Sequence, residues 1–183
     1  MSSLREYLTE KREALRRRRA LAEASGAGPS LLQATVRAEG RSGVRRIRIR
    51  DFQILSDSAA DYAGYDLGPG SPELQLGVLG ACLTHVFLIQ AADRGVPLDS
   101  LEVDVSGLMD RRAGWAGHDD VPRHPYGISY RVRVASPASR AEIDALHEAV
   151  ERACPVLNLL KNPQRITGAV EHVGAAAPTA ARA

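Results

Sequence analysis

From Glu73 to Asp93 the chain runs through about twenty residues in which only the two ends carry charge. A strand of that length would be unusual, whereas a twenty-residue helix is about 30 Å long. A helix that is apolar on nearly every side must be buried, here against a sheet and against another subunit. Pro72 suits its first turn, and Arg94-Gly95 followed by Pro97 suits its end.

The flanking segments read as strands. Val44, Ile47 and Ile49 alternate with arginines, the period-two signature of a sheet with one wet face. Gly40-Arg41-Ser42-Gly43 supplies a turn, so strands between Gln33 and about Ser56 form a hairpin, with a third strand over Asp51 to Ser56. Asp57 to Ser71 is rich in Asp, Gly and Pro and reads as a loop. Beyond the long helix, Leu101–Ser106 and Ile128–Val134 alternate again, separated by a polar loop from Asp110 to Gly127. Ser139-Arg-Ala-Glu142 is a capping box, after which Ile143, Leu146, His147 and Val150 recur at helical spacing. A short helix is expected after Cys154-Pro155, and a last strand over Ile166 to Val173. Strands and helices in this order define an α+β fold, with a long buried helix packed on antiparallel sheets.

With 183 residues, 44% hydrophobic and 25% charged, the chain has room for one domain. Aromatics make up only 4%, so Leu, Val, Ile and Ala must build the core. The expected organisation is a peripheral basic helix over 1–24, a linker over 25–32, the folded domain over 33–173, and a disordered tail over 174–183. Residues 1–19 hold seven basic and three acidic side chains, including four consecutive arginines. Without interleaved aromatics this pattern favours a solvated helix over a nucleic-acid surface. No secretory signal opens the chain, and no run reaches the roughly 18 uninterrupted apolar residues of a membrane span. A cytoplasmic protein is the expectation.

Two cysteines, Cys82 and Cys154, are too few for a disulfide scaffold and lack metal-ligand spacing. On periodicity alone Cys82 reads as a packing residue of the long helix. His118, Asp119, Asp120 and His124 match no strong metal motif and read as surface loop, with Trp115 a lid or packing residue.

Two stretches carry a family resemblance. Asp66-Leu-Gly-Pro-Gly-Ser-Pro-Glu-Leu-Gln-Leu-Gly-Val-Leu-Gly-Ala-Cys82-Leu resembles the first signature of the OsmC/Ohr superfamily. Glu148-Ala-Val-Glu-Arg-Ala-Cys154-Pro-Val, with Lys161-Asn-Pro163, resembles its second. The resemblance implies an intertwined homodimer that needs no metal or organic cofactor. It also implies reduction of organic hydroperoxides, with Cys82 attacking, Cys154 resolving and an external dithiol regenerating the pair. Arg41 in the hairpin turn is the nearest match to the family's thiolate-holding arginine. Glu73 matches the glutamate of the broader signature, while the Ohr-type position ten before the cysteine is Pro72.

Helix geometry adds a test. Gln75 lies within about 40° of Cys82 and His85 within about 60°, so both are candidates to line its substrate, whereas Glu73 lies about 180° away. Few charges surround Cys82, which suits an apolar small molecule. Two other readings stay open: a non-catalytic dimer that binds a small molecule or senses oxidation, and an interaction module docked through the basic helix.

Overall fold

The computed structural model describes residues 3–26, 28–40, 42–172 and 174. Helix α1 (Leu4–Ser25) is followed by strands β1 (Thr35–Ala38), β2 (Arg45–Ile49) and β3 (Phe52–Ser56). Then come the long helix α2 (Ser71–Arg94), strands β4 (Ser100–Leu108) and β5 (Tyr126–Ala135), and helices α3 (Arg140–Ala153) and α4 (Pro155–Lys161). The strands make two separate antiparallel sheets, one of order β1-β2-β3 and one of β4-β5.

Helix α2 is the axis of the molecule. Leu79, Leu83, Val86, Phe87, Ala91 and Ala92 are buried on one side of it and meet Leu98, Leu146, Val150, Cys154 and Leu157 in a single core. Each fully buried Leu or Phe removes enough apolar surface from water to contribute about 1.5–3 kcal/mol. The β4-β5 sheet closes this core with Leu101, Val103, Val105, Tyr130, Val132 and Val134, the alternate residues of its inner face. Helix and sheet approach so closely at Gly80 that a Cβ there would stand 3.2 Å from Val105 Cγ2. By length and composition alone α2 could cross a membrane, but its buried residues pack it as the core helix of this α+β domain.

The capping signals lie where the sequence places them. The Ser139 hydroxyl accepts from the Glu142 N–H while the Glu142 carboxylate accepts from Ser139, and α3 starts there. The Glu73 carboxylate likewise accepts the Gly70 N–H at 2.7 Å, tying the first turn of α2 to the loop before it.

Helix α1 docks on α2 of its own chain. Leu4, Leu8 and Leu15 face the core. Arg5, Arg12 and Arg19, spaced by seven, form one stripe that reaches the C-terminal end of α2 and the turn beyond. Arg5 pairs with Asp99 at 2.6 Å, Arg19 pairs with Asp93 at 2.7 Å, and Arg12 Nε donates to the Ala92 carbonyl at 2.6 Å. Part of the basic charge of the N-terminal segment is thus neutralised inside the chain.

One expected element is absent. Residues 166–172 form no strand, and Ile166 and Val170 are 90% and 97% exposed. A strand exists only where an edge accepts its hydrogen bonds, and the segment reaches neither sheet of this chain. Residues 175–183, expected to form a disordered tail, lie outside the described residues.

A candidate thiol site where two helices and a strand converge

The Cys82 and Cys154 sulfurs lie 3.4 Å apart, although 72 positions separate the residues in the chain. Both are free thiols, Cys82 half-buried on α2 and Cys154 fully buried at the junction of α3 and α4. Cys154 ends α3, donating its N–H to the Val150 carbonyl at 2.8 Å, and its own carbonyl opens α4. Pro155 forces this elbow, because it has no N–H to continue the helix ladder.

Burial pushes the Cys82 thiol pKa up, and the shared hydrogen bond and charge of Cys154 add to the rise. A hydrogen bond from the Val156 backbone N–H acts in the opposite direction. No cation of the described residues contributes. A sulfur in this setting needs a further positive or donor group to react as a thiolate at neutral pH.

Next to the thiols stands a polar network. Tyr130 Oη donates to Glu151 Oε1 at 2.7 Å and lies 2.8 Å from His147 Nε2. Because Glu151 takes the tyrosine proton, His147 Nε2 is the donor to Tyr130. His147 stacks on Phe87, with ring centroids 6.0 Å apart. Burial pushes the Tyr130 phenol well above its usual range, and the Glu151 carboxylate and nearby Cys154 push the same way. Glu151 is held below the ordinary carboxylate range, first by Tyr130 and further by Lys161 and His147. The network borders an open cavity of about 430 Å³ between β5 and α3, whose walls include Phe87, Val132 and Ile143. None of these polar residues stands out in the sequence as a site. The available signal is that His147, Glu151 and Cys154 follow one another at i, i+4 and i+7, one stripe of α3.

Of the other sequence candidates, Gln75 and His85 are exposed on α2, on the side that carries Cys82, in a stripe that also includes Val78, 51% exposed. Glu73 is not brought to the thiols; it caps α2 and borders a separate groove with Gly77, Gly80 and Val105. Arg41 lies outside the described residues. Arg45 turns inward, donating to Ser56 Oγ and the Asp57 carbonyl, and so braces the loop after β3 instead of the thiols. Trp115 is 58% exposed in the loop before β5. Among the described residues no group of three or more His, Cys, Asp or Glu side chains could hold a metal.

An α+β chain with one cysteine inside its central helix and a second at a helix–proline elbow defines a class of two-thiol proteins. The match to the family of OsmC-like proteins spans residues 64–168, and the chain belongs to that family. Among solved structures it is similar to an OsmC-like protein from Mycoplasma pneumoniae, at 20% identity and a TM-score of 0.63, covering 73% of this chain and 89% of that one. It is also similar to an organic hydroperoxide resistance protein OsmC from Legionella pneumophila, at 12% identity and a TM-score of 0.54, covering 74% and 92%. An OsmC-like hydroperoxide resistance protein from Jannaschia sp. CCS1 shares 18% identity at a TM-score of 0.50, covering 78% and 93%. Likenesses at these identities show the fold alone. No curated protein matches the sequence.

Proposed function

We propose that this chain is a thiol-dependent peroxidase that reduces organic hydroperoxides through Cys82 and Cys154. The observation that carries the reading is the 3.4 Å approach of two free thiols, one half-buried and one fully buried. The Cys82 thiolate attacks the terminal peroxide oxygen; an S–O bond forms, the O–O bond breaks, and the alkoxide takes a proton to leave as alcohol. Cys154 then attacks the sulfenic sulfur, forming the disulfide and releasing water. An external dithiol returns the pair to thiols by exchange, which suits a reducing cytoplasm.

The active species in this reading is a homodimer. Sheet β1-β2-β3 leaves Val36, Phe52 and Ile54 at 55%, 62% and 42% exposure, and an exposed apolar patch of this kind marks an interaction surface. The open stripe of α2 gives a second copy a place to pack, beside Cys82. Arg41, which lies between β1 and β2 in sequence, is the candidate to supply the missing positive charge, and Gln75 and His85 are candidates to line the substrate. Glu73 serves as the anion at the start of α2.

Single-turnover mass analysis tests this directly. One equivalent of cumene hydroperoxide should remove two hydrogens within seconds and link the Cys82 and Cys154 peptides. Thiols that remain reduced for many minutes would overturn the peroxidase reading. The raised Cys82 pKa favours a second reading, a dimer that senses oxidation or binds a small apolar molecule without turnover. Binding that survives Cys82→Ala would select it.

A further inference from the structure

The elbow between α3 and α4 leaves two backbone carbonyls to account for. In a continuous helix the Glu151 carbonyl would accept from residue 155, but that residue is Pro155 and has no N–H. The Arg152 carbonyl would accept from Val156, but the Val156 N–H makes no such bond across the elbow. Both carbonyls are met by one side chain. Asn158 Nδ2 lies 3.2 Å from the Glu151 carbonyl oxygen, 3.3 Å from that of Arg152 and 2.8 Å from that of Cys154. The Asn158 backbone N–H also donates to the Cys154 carbonyl at 3.0 Å. A single amide thus stands in for the two helix donors that are missing at the proline elbow.

We propose that Asn158 is a positioning residue for the thiol pair, holding the elbow bent so that the Cys154 sulfur stays within reach of Cys82. The inference deepens the peroxidase reading and rests on Cys154 being the resolving thiol. In the condensation step the Sγ–Sγ bond forms and the Sγ–O bond breaks. The sulfenic hydroxyl then leaves as water with the Cys154 proton. The sulfurs must close from 3.4 Å to about 2.05 Å, and a few tenths of an ångström of drift at the elbow slows that closure. The titratable groups around the pair are Tyr130 on β5 and His147 and Glu151 on α3, together with the two thiols themselves.

The test needs no peroxide. The reduced full chain is mixed with the chromogenic disulfide of nitrothiobenzoate. Half-buried Cys82 releases one coloured thiolate as it is capped, and Cys154 releases a second as it displaces the cap and closes the protein disulfide. In Asn158→Ala, and in the apolar isostere Asn158→Leu, the second release should slow on the order of tenfold. The pH midpoint of the first release should stay where it is in the wild type, because Cys82 sits on α2 and not on the elbow. A loosened or unfolded chain would move that midpoint down, towards an ordinary thiol near 8.5. An unchanged second release, a midpoint that falls, or a Leu variant that behaves as wild type would overturn the proposal. Biphasic release without peroxide turnover would instead sink the peroxidase reading and leave the role of Asn158 standing.

Discussion

The two sheets of this protein are written in the same pattern and meet different fates. In β4-β5 every second residue turns inward, and Leu101, Val103, Val105 and Val132 lie against α2 and the core. In β1-β2-β3 the row Val36, Ile47 and Ile54 is just as apolar and just as well registered, yet among the described residues no helix packs on it as α2 packs on β4. Alternation therefore specifies a dry face without specifying what keeps it dry. For β4-β5 the cover is supplied within the chain; for β1-β2-β3 a second copy is the proposed cover.

Paired substitutions can break this comparison. Val132→Asp, at a partly buried position on the inner face, should destabilise the folded chain itself by about 1–3 kcal/mol, read by urea unfolding. Ile47→Asp should leave the core folded while shifting the protein from dimer to monomer in light scattering. Equal losses of folding in both variants would mean that the open sheet is covered by its own chain.

A smaller effect concerns the loop that joins the open sheet to α2. Asp57 is fully buried and accepts the N–H groups of Tyr65 and Leu67. Burial alone would raise its pKa, but the backbone N–H groups of Ser58, Leu67 and Tyr65, with the charge of Arg45, hold it below the usual range. Its stabilising contribution is therefore complete above the unfolded value, about 3.9, and is lost as pH falls through the lower folded value. Asp57→Ala should lower the urea midpoint at pH 6 and lose most of that penalty near pH 2. A penalty that does not change with pH would place the effect in packing alone.

The smallest effect is expected at α1. Arg5→Ala removes the exposed pair with Asp99 and should change stability by no more than about 1 kcal/mol, and less at high salt. A larger loss would mean that α1 contributes to the core through more than its leucines.

Much of the fold is legible in the amino-acid sequence. The uncharged run around Cys82, the capping box at Ser139 and the turn at Gly40 each depend on residues a few positions away, and each element appears where expected. The failed strand at 166–172 shows the limit, since its apolar residues fit a strand but a strand also needs an edge. The candidate site divides in the same way. Both cysteines are visible in their motifs, whereas Tyr130 and Asn158 carry no signal that separates them from ordinary residues, and His147 and Glu151 show only a shared helical stripe with Cys154.

From sequence alone follow the long apolar helix, the alternating strands, the helix starts and the proline break after Cys154, because these depend on local spacing and backbone chemistry. Only the tertiary structure decides that Cys82 meets Cys154, that Arg5, Arg12 and Arg19 fold back onto α2, and that one asparagine replaces two backbone donors. Those contacts join segments from separate elements, and their geometry is set by how the core packs around α2, which no local pattern encodes.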